Sequence, residues 1–267
     1  MKRVWRHVVV ALSLIAGAGV VSSACVHNDT TLFVRDALLA QYRQNGMVCI
    51  YTPDPLQPFH SSGVLDIALK NQYDGVFLVG NQMVPQVNSS QLQTETSIVI
   101  VKGAIVRITD RTGAQLSTFT RLTTATLPPS NGGTPGYAPV FATIVDPPTI
   151  QNDQTIQQGI AQGQGGYVRL VTYVRFFGTS LGGQAVESNE FEFPVDVCNG
   201  CLINFTNNPS YPTPNCVGSP TATATTQAQI PCDTGQDVPI DCNACADIPN
   251  CRGAYQAVAP PPDAGGG

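Results

Sequence analysis

The stretch YVRLVTYVRFF, Tyr167 to Phe177, and its companion EFEFPVDV, Glu190 to Val197, decide the fold. In the first, Val168, Leu170, Val174 and Phe176 fall on one face, and Arg169, Tyr173 and Arg175 on the other. In the second, Phe191, Phe193, Val195 and Val197 point one way, and Glu190, Glu192 and Asp196 the other. Side chains alternate across a strand with a period of two, so each stretch has one face for a core and one for water. Together they read as an antiparallel hairpin whose arginines lie near acidic residues across the strands. Each exposed charge pair is worth roughly 0.2–1 kcal/mol, enough to favour a register but not to hold a sheet. The apolar face must supply the stability.

The same alternation continues on the N-terminal side. Leu65, Ile67 and Leu69 alternate with Asp66 and Lys70, and Asn71 to Asp74 then turns the chain into Val76-Phe77-Leu78-Val79, a run suited to burial on both faces. Ser97 to Thr109 is rich in Ile and Val, with Ala104, Val106 and Ile108 on one side. Asp110-Arg111-Thr112-Gly113 reads as a hairpin loop ending in glycine, with Leu116 to Leu122 as the return strand. Tyr137 to Val145 is a further strand, closed by Asp146-Pro147-Pro148. Thr31 to Tyr42 fits either period, and an edge strand is favoured for its first half. Gln151 to Gly166, rich in Gln and Gly, reads as a long loop with at most one helical turn. Some seven short antiparallel strands predict an all-β fold, an immunoglobulin-like antiparallel β-sandwich spanning residues 25–197. A jelly roll or partly open barrel is the structural rival. The Cys…Trp…Cys pattern of antibody domains is missing, because the one tryptophan is Trp5.

From Cys198 the composition changes. Seven cysteines fall within 54 residues among Asn, Pro, Thr and Gly. Such a segment, residues 198–256, cannot bury enough surface alone and is expected to pack on the sandwich through disulfides. Within it, Ser219 to Gln229 is a low-complexity loop, and residues 257–267 read as a disordered tail.

Residues 1–24 carry the three parts of a secretion signal. Lys2, Arg3 and Arg6 are the basic part, Val8 to Val21 the apolar part, and Ser22-Ser23-Ala24 supplies small residues before Cys25. The apolar run is 14 residues, short of the about 20 that a spanning helix needs. Ordinary signal-peptidase cleavage and a lipobox cut the same bond. Lipoboxes usually carry Leu three residues before the cysteine, where this chain has Ser22. Cysteine parity favours the lipobox. The chain has nine cysteines, and lipidation of Cys25 leaves Cys49, Cys198, Cys201, Cys216, Cys232, Cys242, Cys245 and Cys251, an even set for bridges in an oxidising compartment. Cys49 stands about 150 residues before the rest, so its partner must lie in the C-terminal segment. Lipid on Cys25 makes a membrane the first partner. By the enterobacterial sorting scheme Val26, in place of Asp, favours the outer membrane of the cell envelope, where a structural or binding module would have an envelope protein as its candidate partner.

Cleavage would remove three basic residues and no acidic one, leaving 10 basic against 18 acidic, a formal charge of −8. Lys70 and Lys102 would be the only lysines. No basic run could neutralise a phosphate backbone, so nucleic acid is excluded as a partner.

Chemical motifs are sparse. Cys198-x-x-Cys201 and Cys242-x-x-Cys245 have the spacing of zinc knuckles, whose four thiolates match that ion. A disulfide cluster is the preferred reading in an exported protein, ahead of zinc and of thioredoxin-like redox chemistry. His27 and His60 would be the only histidines left, and no Gly-x-Ser-x-Gly or His-Glu-x-x-His occurs. Asp54, Asp66 and Asp74 look scattered, and Glu187, Glu190 and Glu192 look like a solvated face. Asp233, Asp237, Asp241 and Asp247 read as turn formers, since their spacing is not that of a calcium loop. No catalytic residue, metal or cofactor is expected. An envelope hydrolase or a metal-binding cysteine module remains the alternative, and a deep pocket with convergent carboxylates would favour the hydrolase.

Two runs, Tyr73-Asp74-Gly75-Val76-Phe77-Leu78-Val79-Gly80-Asn81-Gln82 and Glu190 to Leu202 with its Cys198-x-x-Cys201, resemble uncharacterised lipoproteins of myxobacteria and related predatory bacteria. The resemblance spans about Leu32 to Cys251. It implies placement at the cell surface or in the periplasm and no site residue.

Overall fold

A computed structural model describes residues 31–42, 49–85, 95–161, 166–204 and 232–241. In chain order the strands are β1 (Leu32–Leu38), β2 (Gln41–Tyr42), β3 (Cys49–Ile50), β4 (Phe59–His60), β5 (Gly63–Asp66), β6 (Tyr73–Asn81), β7 (Val99–Asp110), β8 (Gln115–Leu127) and β9 (Gly136–Val145). Two helices follow, α1 (Pro147–Asn152) and α2 (Gln154–Ala161). The chain then forms β10 (Tyr167–Ser180), β11 (Ala185–Glu187), β12 (Phe191–Cys198), β13 (Ile203–Asn204) and β14 (Ile240–Asp241).

One sheet runs β4-β1-β6-β9. The other runs β5-β12-β10-β7-β8, with β11 attached to β10. Their inner faces share one core, so the fold is an all-β sandwich. Phe77 of β6 is its centre: fully buried, with its ring 5.6 Å from Phe176, 5.9 Å from Phe191 and 6.3 Å from Phe193 of the opposite sheet. Burial of the alternating set Tyr73, Phe77 and Val79 against Val174, Phe176 and Val195 is the main stabilising term. The intervening Val76 and Leu78 are also buried, on the outer face with Leu38 and beside Tyr51 and Tyr137. β6 is therefore apolar on both faces, as its unbroken run predicts.

The leading hairpin forms with Val168 opposite Val197, Leu170 opposite Val195 and Thr172 opposite Phe193. Arg169 opposes Asp196 and binds it at 2.7 Å, Arg175 reaches Glu187 of β11, and Arg107 of β7 reaches Glu190. At the β7–β8 turn the Asp110 carboxylate accepts from the Thr112 and Ala114 amides. Between Gly103 and Val101 the register of β7 against β10 skips Lys102. This bulge keeps Val99 and Val101 on the same buried face as Ala104 and Val106, which strict alternation would not allow.

β6 pairs along β1, while β4 reaches only Ala37 and Leu38, so apart from a bridge between Leu32 and Ser188 the first half of β1 lies at a sheet edge, as expected. Three expectations need correction. Pairing is not wholly antiparallel, because β5 runs parallel to β12. The strand expected through Leu69 stops at Asp66, whose carboxylate accepts the Ala68 amide and turns the chain. Residues 151–161, apart from Asp153 between two helices, are helical rather than loop. Asp146 caps α1, with proline in its first turn, and Asp153 accepts from the first amides of α2. Ile150, Ile156 and Ile160 are buried, and the last two are spaced by one helical turn. The intervening glutamines mask so thin an apolar stripe.

The signal segment 1–24, Cys25, Cys216, the loop 219–229, Cys242, Cys245, Cys251 and the tail 257–267 lie outside the described residues. Among the described residues no helix is long and apolar enough to cross a membrane.

Candidate functional site

Residues 232–241 form a strap across one end of the sandwich. A disulfide joins Cys49 to Cys232, 183 positions apart, and fixes the start of the strap. Backbone hydrogen bonds then lay it along β5: the Asp66 amide donates to the Gly235 carbonyl, and the Asp237 amide to the Val64 carbonyl. Gly235 has φ +90°, a conformation glycine takes without strain. β14 closes the strap by pairing parallel with β13.

Polar side chains knit the strap to β6. The Lys70 ammonium, largely buried, donates to Asp233 and Gln236 at 2.6 Å and lies 2.8 Å from Asp74. Gln236 returns two bonds to the backbone of Asp74. Burial alone would raise the pKa of Asp74. Its bonds from Lys70, Thr143 and Gln72 outweigh that and hold it below the ordinary carboxylate value. Asp237 is placed differently. One oxygen accepts the Val64 amide and the other the Tyr73 hydroxyl, both at 2.8 Å, and His60 Nε2 lies 3.9 Å away. Burial is the largest influence on this carboxyl and pushes its pKa up. Burial, followed by the nearby Asp237 charge, pushes the Tyr73 phenol well up. Tyr73 can lie here because Gly63 has no side chain: a Cβ there would come within 2.5 Å of the ring.

These groups border a cavity of about 320 Å³ between the strap, the end of β1 and the start of β6. Leu38, Tyr51, His60, Tyr73, Phe193 and Asp237 are among its walls. The volume is at the low end of small-ligand sites, with aromatic walls and a few convergent polar groups. Buried Gln57 supports one side, donating to the Leu39 carbonyl and accepting the Thr52 amide.

The second cysteine feature stands at the end of β12. Cys198 and Cys201 are joined in a disulfide. Asp66, fully buried, accepts the amides of Gly200 at 2.7 Å and Leu202 at 2.8 Å and so holds the loop. Its carboxylate and both sulfurs lie within 4.8 Å of one another, a spacing a metal could use. With the sulfurs bonded to each other, they offer no thiolates to an ion.

The cysteines and the individual aspartates thus differ in how far their sequence positions foretell their places. Cys49 does reach the C-terminal segment, at Cys232. Asp66, which reads as merely scattered, is fully buried, Asp237 is more than a turn former, and His60 stands on β4. Asp237, Tyr73, Lys70 and Gln236 meet only because the strap crosses the sheet. The one sequence signal for this meeting is the long-range partner that Cys49 requires. No protein-family model matches the chain, and comparison with curated proteins finds no match.

Proposed function

We propose that this chain is an exported lipoprotein, tethered through lipid on Cys25, whose sandwich serves the cell envelope as a non-catalytic binding module. The observation that carries the reading is the Cys49–Cys232 disulfide, which ties residues 183 apart across the cavity rim. Such bridges persist in oxidising, extracytoplasmic compartments, the destination that the basic, apolar and small-residue segments before Cys25 specify. Several acyl chains on Cys25, each buried CH₂ contributing about 0.8 kcal/mol, would anchor the domain durably. The resemblance to myxobacterial lipoproteins points the same way. Cys25→Ser should abolish acyl labelling and release the protein from membranes, and unchanged labelling would refute the anchor.

An envelope hydrolase is the second reading, favoured by the cavity with Asp237, His60 and Tyr73 at its wall. Acid–base hydrolysis by a carboxylate pair needs two carboxyls free for separate roles. Asp74 and Asp233 are both held by Lys70, which leaves Asp237 alone. Binding is therefore the preferred role of the cavity.

A further inference from the structure

We infer that the cavity beneath the strap binds a small organic ammonium ion, its positive charge beside Asp237 and its alkyl groups against Tyr51 and Val238. This deepens the binding-module reading and rests on it.

The charge of the ligand follows from which groups remain available. Asp74, Asp233 and Asp237 all line the cavity. The one ammonium among them, Lys70, is spent on Asp74, Asp233 and Gln236 at 2.6–2.8 Å. Among the described residues no other lysine and no arginine borders the cavity, whose one further basic side chain is His60, and an anion would also meet three carboxylates. Asp237 is the carboxylate whose charge is least compensated. Its side chain is 16% exposed, and its two hydrogen-bond donors, the Val64 amide and the Tyr73 hydroxyl, are neutral. His60 Nε2, at 3.9 Å and beyond hydrogen-bond range, is the one basic group facing this carboxylate among the described residues. A cation entering the cavity gives Asp237 a closer counter-charge than His60 does.

The shape of the ligand follows from the walls. Half-buried Tyr51 and exposed Val238 present apolar surface to it, with the buried Leu38, Val76, Tyr73 and Phe193 behind them. A heavily hydrated ion such as sodium would shed water for little return there. An alkylated ammonium carries diffuse charge and apolar substituents, and aromatic faces attract such cations by about 0.5–2 kcal/mol. A volume of about 320 Å³ suits a ligand at the small end of small-molecule size.

Calorimetric titration of the full chain with choline, with tetramethylammonium and with 3,3-dimethyl-1-butanol, the neutral isostere of choline, tests this directly. Choline and tetramethylammonium should bind saturably at one site, with Kd about 1 mM or tighter, and the isostere at least about 10-fold more weakly. Asp237→Asn keeps the size of the group and should weaken choline about 10-fold or more without changing the isostere. Absence of saturable binding by either cation, or equal binding of the isostere, overturns the inference on the wild-type protein alone, whether or not the variant folds. Wild-type affinity in a folded Asp237→Asn protein overturns it too. Acyl labelling of Cys25 is a separate readout, so failure of the ligand leaves the anchor standing, and the reverse.

Discussion

The core around Phe77 and the strap from Cys232 to Asp241 are neighbours held by different physics. The core is a set of interdigitated rings and β-branched side chains, all but excluded from water. Its stability comes from apolar burial, which has no reducible bond and, apart from the Tyr73 phenol at its edge, no titrating group. The strap buries few apolar side chains. It is held by one disulfide, an ammonium shared among Asp74, Asp233 and Gln236, and the bonds of Asp237. Proton and thiol concentrations act on every one of these ties except the neutral amide bonds. The sandwich is thus built to persist, while its cavity is roofed by a segment whose attachment responds to the surroundings.

The largest test of this contrast removes the covalent tie. Cys49→Ser with Cys232→Ser deletes a closure across 183 positions, worth as much as about 5 kcal/mol in the chain-entropy model. Chemical denaturation should report that loss. Limited proteolysis under native conditions should cut first within the strap while β6 and β10 stay protected. Uniform cleavage across the sandwich would show that strap and core open as one unit and would break the comparison.

Phe77→Ala tests the other side. Truncating a fully buried phenylalanine costs about 3–5 kcal/mol, through lost transfer energy and the cavity left behind. The loss should be the same with the Cys49–Cys232 bridge intact or removed, measured as a double-mutant cycle in urea. A coupling well above about 0.5 kcal/mol would mean that the disulfide acts through the core.

The two regions also differ in how far sequence reveals them. Strands such as β10 and β12 are legible because one buried face imposes a period of two, and Val76 to Val79 is legible because burial on both faces removes the period. The parallel pairing of β5 leaves no such mark, since Gly63–Asp66 is too short to show a period. Asp66 fits an alternating pattern as an outward residue, yet it is buried because the CxxC loop brings amides to it. The cavity is the least legible part. Its defining bonds join residues 162 to 173 positions apart, and no local pattern records which aspartate a distant lysine will meet. Only cysteine arithmetic reaches that far, because a lone Cys49 demands a distant partner. Even so, it identifies the strap without saying what the strap covers.

The smallest effect is the most diagnostic, because two strap-linked carboxyls should respond to pH with opposite signs. Asp74 has a folded pKa below the ordinary value of about 4. It binds its proton less tightly when folded, so its contribution is present above that ordinary value and is lost as pH falls through the folded pKa. Asp237 has a raised folded pKa, with burial as the leading cause. It binds its proton more tightly when folded, so its contribution is present below the ordinary value and is lost as pH rises through the folded pKa. Urea midpoints measured from about pH 3 to pH 7 separate the two. The advantage of wild type over Asp74→Asn should grow as pH rises through this range. The advantage over Asp237→Asn should shrink across the same range, and Phe77→Ala should trail wild type by a constant margin. Two carboxylate variants with slopes of the same sign would mean that Asp237 already has a full counter-charge in the folded protein. The cavity would then have no uncompensated charge to offer a cation.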